Sequence, residues 1–112
     1  MKTKEEINEI MRQLPFVCQM TTNKGLKVKN QFILEGECPN GDVWELFQSY
    51  KSPIALKIAG KVYIFHDWDY SNTTGKYRNQ FLNENKAETL KKLKSGECIS
   101  VDFEVRVWEL KI

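Results

Sequence analysis

Ile54-Ala55-Leu56-Lys57-Ile58-Ala59-Gly60-Lys61-Val62-Tyr63-Ile64-Phe65-His66 decides the fold class. Two short apolar runs flank Ala59-Gly60, and a two-residue connection between such runs marks a tight β-hairpin, because only short turns of the right hand match the twist of the strands they join. Paired strands are expected over 54–58 and 61–66. Upstream, Ser52-Pro53 breaks the preceding strand, 43–50, since proline brings no N–H to a ladder.

Toward the N-terminus, Cys38-Pro39-Asn40-Gly41-Asp42 is the strongest turn signal in the chain. Proline presets φ and Asn-Gly tolerates positive φ. Before it, an alternation puts Leu26, Val28, Phe32 and Leu34 on a buried face and Lys27, Lys29, Gln31 and Glu35 on a wet one. The turn residues 21–25 join this strand to an apolar run, 16–20, as a further hairpin. Thr3 and Glu6 fit a capping box, and Ile7, Ile10, Met11 and Leu14 form the stripe of an amphipathic helix that Pro15 ends.

Toward the C-terminus, a polar loop with aromatics (67–72) leads to a helix that Thr73 or Thr74 caps, with Tyr77 and Phe81 on one face. A second helix, 86–94, carries Ala87, Leu90 and Leu93 inward and stops at Ser95-Gly96. The last segment alternates Ile99, Val101, Phe103, Val105 and Val107 with Ser100, Asp102, Glu104 and Arg106. The expectation is one α+β domain over 1–112. It has an antiparallel sheet of about five or six strands, an N-terminal helix and two short helices before the last strand, with the helices packed on one face.

Composition narrows the function classes. The 112 residues are 41% hydrophobic and 29% charged, ordinary for a globular domain. A net charge of +2 is far from that of a sequence-independent DNA coater and equally far from that of an acidic DNA mimic. Cys18, Cys38 and Cys98 are neither an even disulfide set nor a C-x-x-C clip, so buried or partly buried free thiols in a reducing cytoplasm are expected. An apolar leader and a membrane-spanning run are missing from the expectation. Thr73-Thr74-Gly75-Lys76 lacks the earlier glycine and the following Ser/Thr of a phosphate loop. His66, Asp67 and Asp69 supply one nitrogen and two carboxylates, but nothing nearby completes a metal or nucleophilic site, so neither a cofactor nor catalysis is expected.

The stretch 63–81 is the most unusual. Trp68, Tyr70 and Tyr77 interleave with Lys76 and Arg78, a mixture that suits stacking on bases with phosphate pairing and equally suits a protein hot spot. These five are the expected partner-binding residues. On that reading Trp68→Ala and Arg78→Ala weaken binding and spare the fold. The competing reading has Phe65, Tyr70 and Phe81 complete the core.

Ser52-Pro53-Ile54-Ala55, Gly60-Lys61-Val62-Tyr63, Asp69-Tyr70-Ser71-x-Thr73-Thr74 and Asn79-Gln80-Phe81-Leu82 resemble an uncharacterised domain of small phage and prophage proteins. The likeness covers residues 49–97 and leaves out the N-terminal helix and first hairpin. It implies a phage or mobile-element setting and no activity. With that setting, the expected function is stoichiometric inhibition of a host nucleic-acid-directed defence system, in the manner of an anti-CRISPR. The partner would be a host protein or nucleoprotein complex; the alternative is direct binding of single-stranded nucleic acid. A dimer through a C-terminal strand over 107–110 is a further expectation.

Overall fold

The computed structural model of the chain describes residues 3–11 and 16–101. Helix α1 (Lys4–Met11) precedes strands β1 (Phe16–Thr21), β2 (Lys27–Glu37), β3 (Val43–Ser49), β4 (Ser52–Ile58) and β5 (Lys61–Ile64). Helices α2 (Asn72–Leu82) and α3 (Lys86–Ser95) then lead to β6 (Cys98–Ser100). The expected α+β class and order of elements hold. One six-stranded sheet runs β1-β2-β3-β4-β5-β6.

Local chemistry explains the hairpins. Ile58 pairs with Lys61 across Ala59 (φ 51°) and Gly60 (φ 74°), both in the left-handed region that a two-residue hairpin turn requires. At the second turn, Cys38 N–H donates to Asp42 O (2.7 Å) and Gly41 takes φ 92°. Four consecutive hairpins therefore build the antiparallel part. The last strand differs: α2 and α3 carry the chain back over the sheet, so β6 lies parallel to β5.

The two faces of the sheet carry separate clusters, and here the structure corrects the expectation that all helices share one face. Ile7 of α1 packs with Phe32, Leu34, Trp44, Leu46 and Leu56. Tyr77 and Phe81 of α2, with Leu93 of α3, pack on the opposite face with Met20, Phe47, Ile54 and Ile64. Central strands buried on both sides read as continuous apolar runs, which is why 54–58 shows little alternation. Gly36 sits directly across from Trp44, and a Cβ there would run into the indole.

Several smaller expectations shift. Pro53 lies inside β4, opposite Gln48, and the register slips so that Ile54 is the extra residue of a bulge. The strand break falls instead at Tyr50-Lys51, between the paired Ser49 and Ser52. Leu26 falls in the turn ahead of β2 and is exposed, while Gln31 is fully buried and Val28 packs on the face opposite Phe32 and Leu34, because Asn30 takes φ 63° and breaks the predicted alternation. In α3 the buried residue is Thr89, while Ala87 and Leu90 face outward. The capping box of Thr3 and Glu6 forms. Of the N-terminal stripe, Ile10, Met11 and Leu14 have side chains outside the described residues, as do the final alternation beyond Val101 and the C-terminal edge at 107–110.

No described helix is long and apolar enough to cross a membrane. None of the three cysteines is in a disulfide; Cys38 is half-buried and Cys98 buried, with burial pushing the Cys98 thiol up, whereas Cys18, on the edge strand β1, is exposed against the expected burial.

Candidate functional site

After β5 the chain makes two successive turns, with Trp68 N–H donating to Phe65 O and Tyr70 N–H to Asp67 O, each at 3.1 Å. Ser71 is extended (φ −153°) and caps α2, its Oγ accepting from Thr74 N–H at 3.1 Å. A serine ahead of the two threonines therefore takes the cap. Thr74 itself is buried, its Oγ1 2.9 Å from Ser49 Oγ at the end of β3.

Arg78 is the brace of this loop. It is 1% exposed, and its Nη1 donates to Trp68 O (2.8 Å) and Asp69 Oδ1 (3.3 Å). Nε and Nη2 both donate to Asn79 Oδ1, and the guanidinium lies 4.9 Å from the centre of the Trp68 ring. A guanidinium has five donors in a rigid fork, and a buried one is stable only when such partners are supplied. Asp69 also pairs with Lys86 Nζ at 2.6 Å. The Lys86 ammonium first, and Arg78 after it, hold its carboxyl below the usual range against the opposing effect of burial.

A second tie comes from Ser52, whose Oγ donates to Asp67 Oδ2 at 2.9 Å. Together with the Ser49–Thr74 contact it brackets the turn Tyr50-Lys51, so the β3–β4 tip stands beside the 67–74 segment. Tyr50 takes φ 56°, a left-handed conformation that costs a side chain with a Cβ on the order of 1–2 kcal/mol. Its backbone is clamped on both sides: the N–H donates to Asn30 O (2.7 Å) and the carbonyl accepts from Gln48 Nε2 (2.9 Å). Nearby, both amide atoms of the fully buried Gln31 and the Oε1 of Gln48 have no hydrogen-bond partner among the described residues.

The five residues singled out from sequence divide. Tyr70 is 68% exposed, Lys76 is exposed and Trp68 is half-buried. Tyr77 is in the core with Phe81, and Arg78 is inside, committed to the loop. Phe65 and Phe81 are core residues and Tyr70 is not. Tyr50, 46% exposed, joins the surface. Its one sequence signal is the two-residue spacing between Ser49 and Ser52, which a tyrosine obscures because turn chemistry favours glycine there. Lys51 and His66 are exposed on the same connections.

Asp67 and Asp69 are engaged by Ser52, Arg78 and Lys86. Among the described residues no three His, Cys, Asp or Glu side chains converge as metal ligands. Of the basic cluster on α3, Lys92 pairs with Glu84 at 3.1 Å, and Lys91 and Lys94 are exposed.

The chain belongs to DUF8033, a family of unknown function, whose model matches residues 17–97. The match takes in the first hairpin as well as the segment from residue 49, so that hairpin is part of the family's domain. No curated protein and no solved structure matches the chain.

Proposed function

We propose that this member of DUF8033 is a non-enzymatic binding protein that presents Tyr50, Trp68, Tyr70 and Lys76 to a protein surface in the host cytoplasm. The observation that carries the proposal is Tyr50: a large ring kept half-exposed at a backbone position where glycine would be free of strain. Strain of this kind persists where the surroundings enforce it, and it concentrates at binding and switch sites. Exposed tyrosines on a rigid base are efficient anchors, because they bring large area with little conformational freedom to lose.

The resemblance of 49–97 to phage and prophage proteins supplies the setting. In it, the proposed partner is a host nucleic-acid-directed defence complex, blocked stoichiometrically as an anti-CRISPR would block it. Direct binding of single-stranded nucleic acid is the second reading, favoured by the exposed Tyr70 ring and the exposed Lys76 on the adjoining helix α2. It ranks lower because Arg78 is buried and Lys86 is paired with Asp69, which leaves fewer cations for phosphates.

The test is an anisotropy titration of labelled single- and double-stranded oligonucleotides at low and moderate salt, beside an inhibition assay with purified defence effectors. Inhibition that Tyr70→Ala and Tyr50→Ala weaken by about 1–3 kcal/mol each supports the proposal. Salt-sensitive oligonucleotide binding in the absence of any effector inhibition would replace it with the second reading.

A further inference from the structure

We propose that β1 is a self-association edge, through which two copies of the chain pair antiparallel into a continuous sheet. Among the described residues β1 has β2 as its one neighbour in the sheet. An edge strand offers a row of unpaired backbone groups, and folded proteins blunt such edges with lysine, proline or inward-pointing charge. Residues 16–21, Phe-Val-Cys-Gln-Met-Thr, contain none of these. Phe16 is 84% and Val17 43% exposed, and Cys18 is exposed beside them. Phe16 and Cys18 lie on one face of this edge and Val17 on the other, so exposed apolar or thiol side chains flank both sides of an edge without lysine, proline or charge.

The flanking charges select a second copy, antiparallel, as the occupant. On β2, Glu35 stands opposite Phe16, and Lys27 stands opposite Thr21. Both are exposed, as is Lys29. The edge is thus acidic at its Phe16 end and basic at its Thr21 end. An antiparallel pair about Cys18 puts Phe16 opposite Met20 of the second copy. It also brings Glu35 of each copy within about one residue step of Lys27 of the other, across three strand spacings or about 14 Å. A parallel pair would align like with like. At that separation salt largely screens the charges, so they bias the orientation and add little strength. The strand itself is uncharged, so the contact carries no repulsion. The short strand fits a weak dimer, with a dissociation constant on the order of micromolar or above.

The test is analytical ultracentrifugation of the full chain from micromolar to millimolar concentration. A monomer–dimer equilibrium is expected. Phe16→Lys and Val17→Lys, each placing a charge on the exposed edge, should raise the dissociation constant at least about tenfold, with the circular dichroism spectrum and melting temperature unchanged. In the wild type a short bis-maleimide should join Cys18 to Cys18, because directly opposed antiparallel residues have Cα atoms roughly 4.5–5.5 Å apart. Tyr70→Ala should leave the dimer intact, which separates this surface from the binding site above. A wild type that stays monomeric throughout, or a dimer that both lysine variants leave unchanged, would overturn the proposal.

Discussion

The α2–α3 junction and the β3–β4 end of the sheet both place polar groups in buried surroundings, and they treat them in opposite ways. At the junction Asn83 takes the left-handed cap position (φ 54°) and donates its N–H to Asn79 O, while Asn85 and Glu88 bond reciprocally in a capping box. The largely buried Glu84 carboxylate accepts from Thr89 Oγ1 at 2.9 Å and from Lys92 Nζ at 3.1 Å, and holds that ammonium above the ordinary lysine range. At the β3–β4 end, Gln31 and Gln48 carry amide atoms without a partner among the described residues, and Tyr50 holds a strained conformation. Each bond of the junction links groups no more than eight residues apart, whereas the other end is assembled from β2, β3, β4 and α2. Local capping satisfies itself; a site assembled from distant strands can hold unmet polarity and strain when the surrounding ladder fixes it.

The largest expected effect cuts the brace between these regions. Arg78→Ala removes a buried guanidinium from Trp68 O, Asp69 and Asn79, and should cost about 3 kcal/mol in urea unfolding. Unchanged stability with weakened partner binding would instead return Arg78 to the role of contact residue. Next in size come two substitutions of opposite sign. Gln31→Met replaces an amide without partners by an apolar side chain of similar volume and should stabilise by about 1–2 kcal/mol. Thr89→Val orphans an oxygen of Glu84 and should destabilise by about 1–2 kcal/mol. If both changes shift the unfolding midpoint in the same direction, the contrast between the two regions fails.

The same contrast explains what could be read from the sequence. Turns with Asn-Gly or Ala-Gly, the capping box at Thr3 and the Gly96 stop of α3 depend on neighbours a few residues away, so the strands and helices were legible in order and number. The faces of β2 were not, because Asn30 reverses the alternation to meet Tyr50, a partner 20 residues on. Nor was the parallel β6, since three residues of strand do not announce their direction. In the candidate site, the exposure of Tyr70 matched the polar loop it sits in, and Lys76 is exposed on α2. Arg78 looked like a surface anchor because tryptophan and arginine together are typical of hot spots, and the partners that draw it inward include the backbone carbonyl of Trp68, invisible to any residue pattern.

A smaller effect comes from the strain itself. Tyr50→Gly relieves a left-handed conformation worth about 1–2 kcal/mol but loosens the unfolded chain by roughly 0.5–1 kcal/mol, so a net gain near 0.5 kcal/mol is expected. The melting temperature should rise slightly while effector binding falls. A variant that lost stability would show that the ring supports the fold, and Tyr50 would leave the candidate surface.

The smallest expected effect lies where the two regions meet. Asp69 belongs to the braced loop and Lys86 opens α3, so their ion pair links the strained end to the satisfied one. Because Lys86 and Arg78 lower the folded-state pKa of Asp69, its contribution is fully present above the unfolded value of about 3.9 and disappears as pH falls through the lower folded value. Asp69 is more than a third exposed and Lys86 about half, so solvent screening limits the contribution to about 0.5 kcal/mol. Asp69→Asn should therefore be slightly less stable than the wild type at neutral pH. The two unfolding curves should converge as the solution is acidified below pH about 4, and high salt at neutral pH should narrow the same gap. A difference that persists unchanged at low pH would assign the role of Asp69 to its hydrogen-bond geometry with Arg78, with the charge contributing nothing, and the link between the two regions would then run through the brace alone.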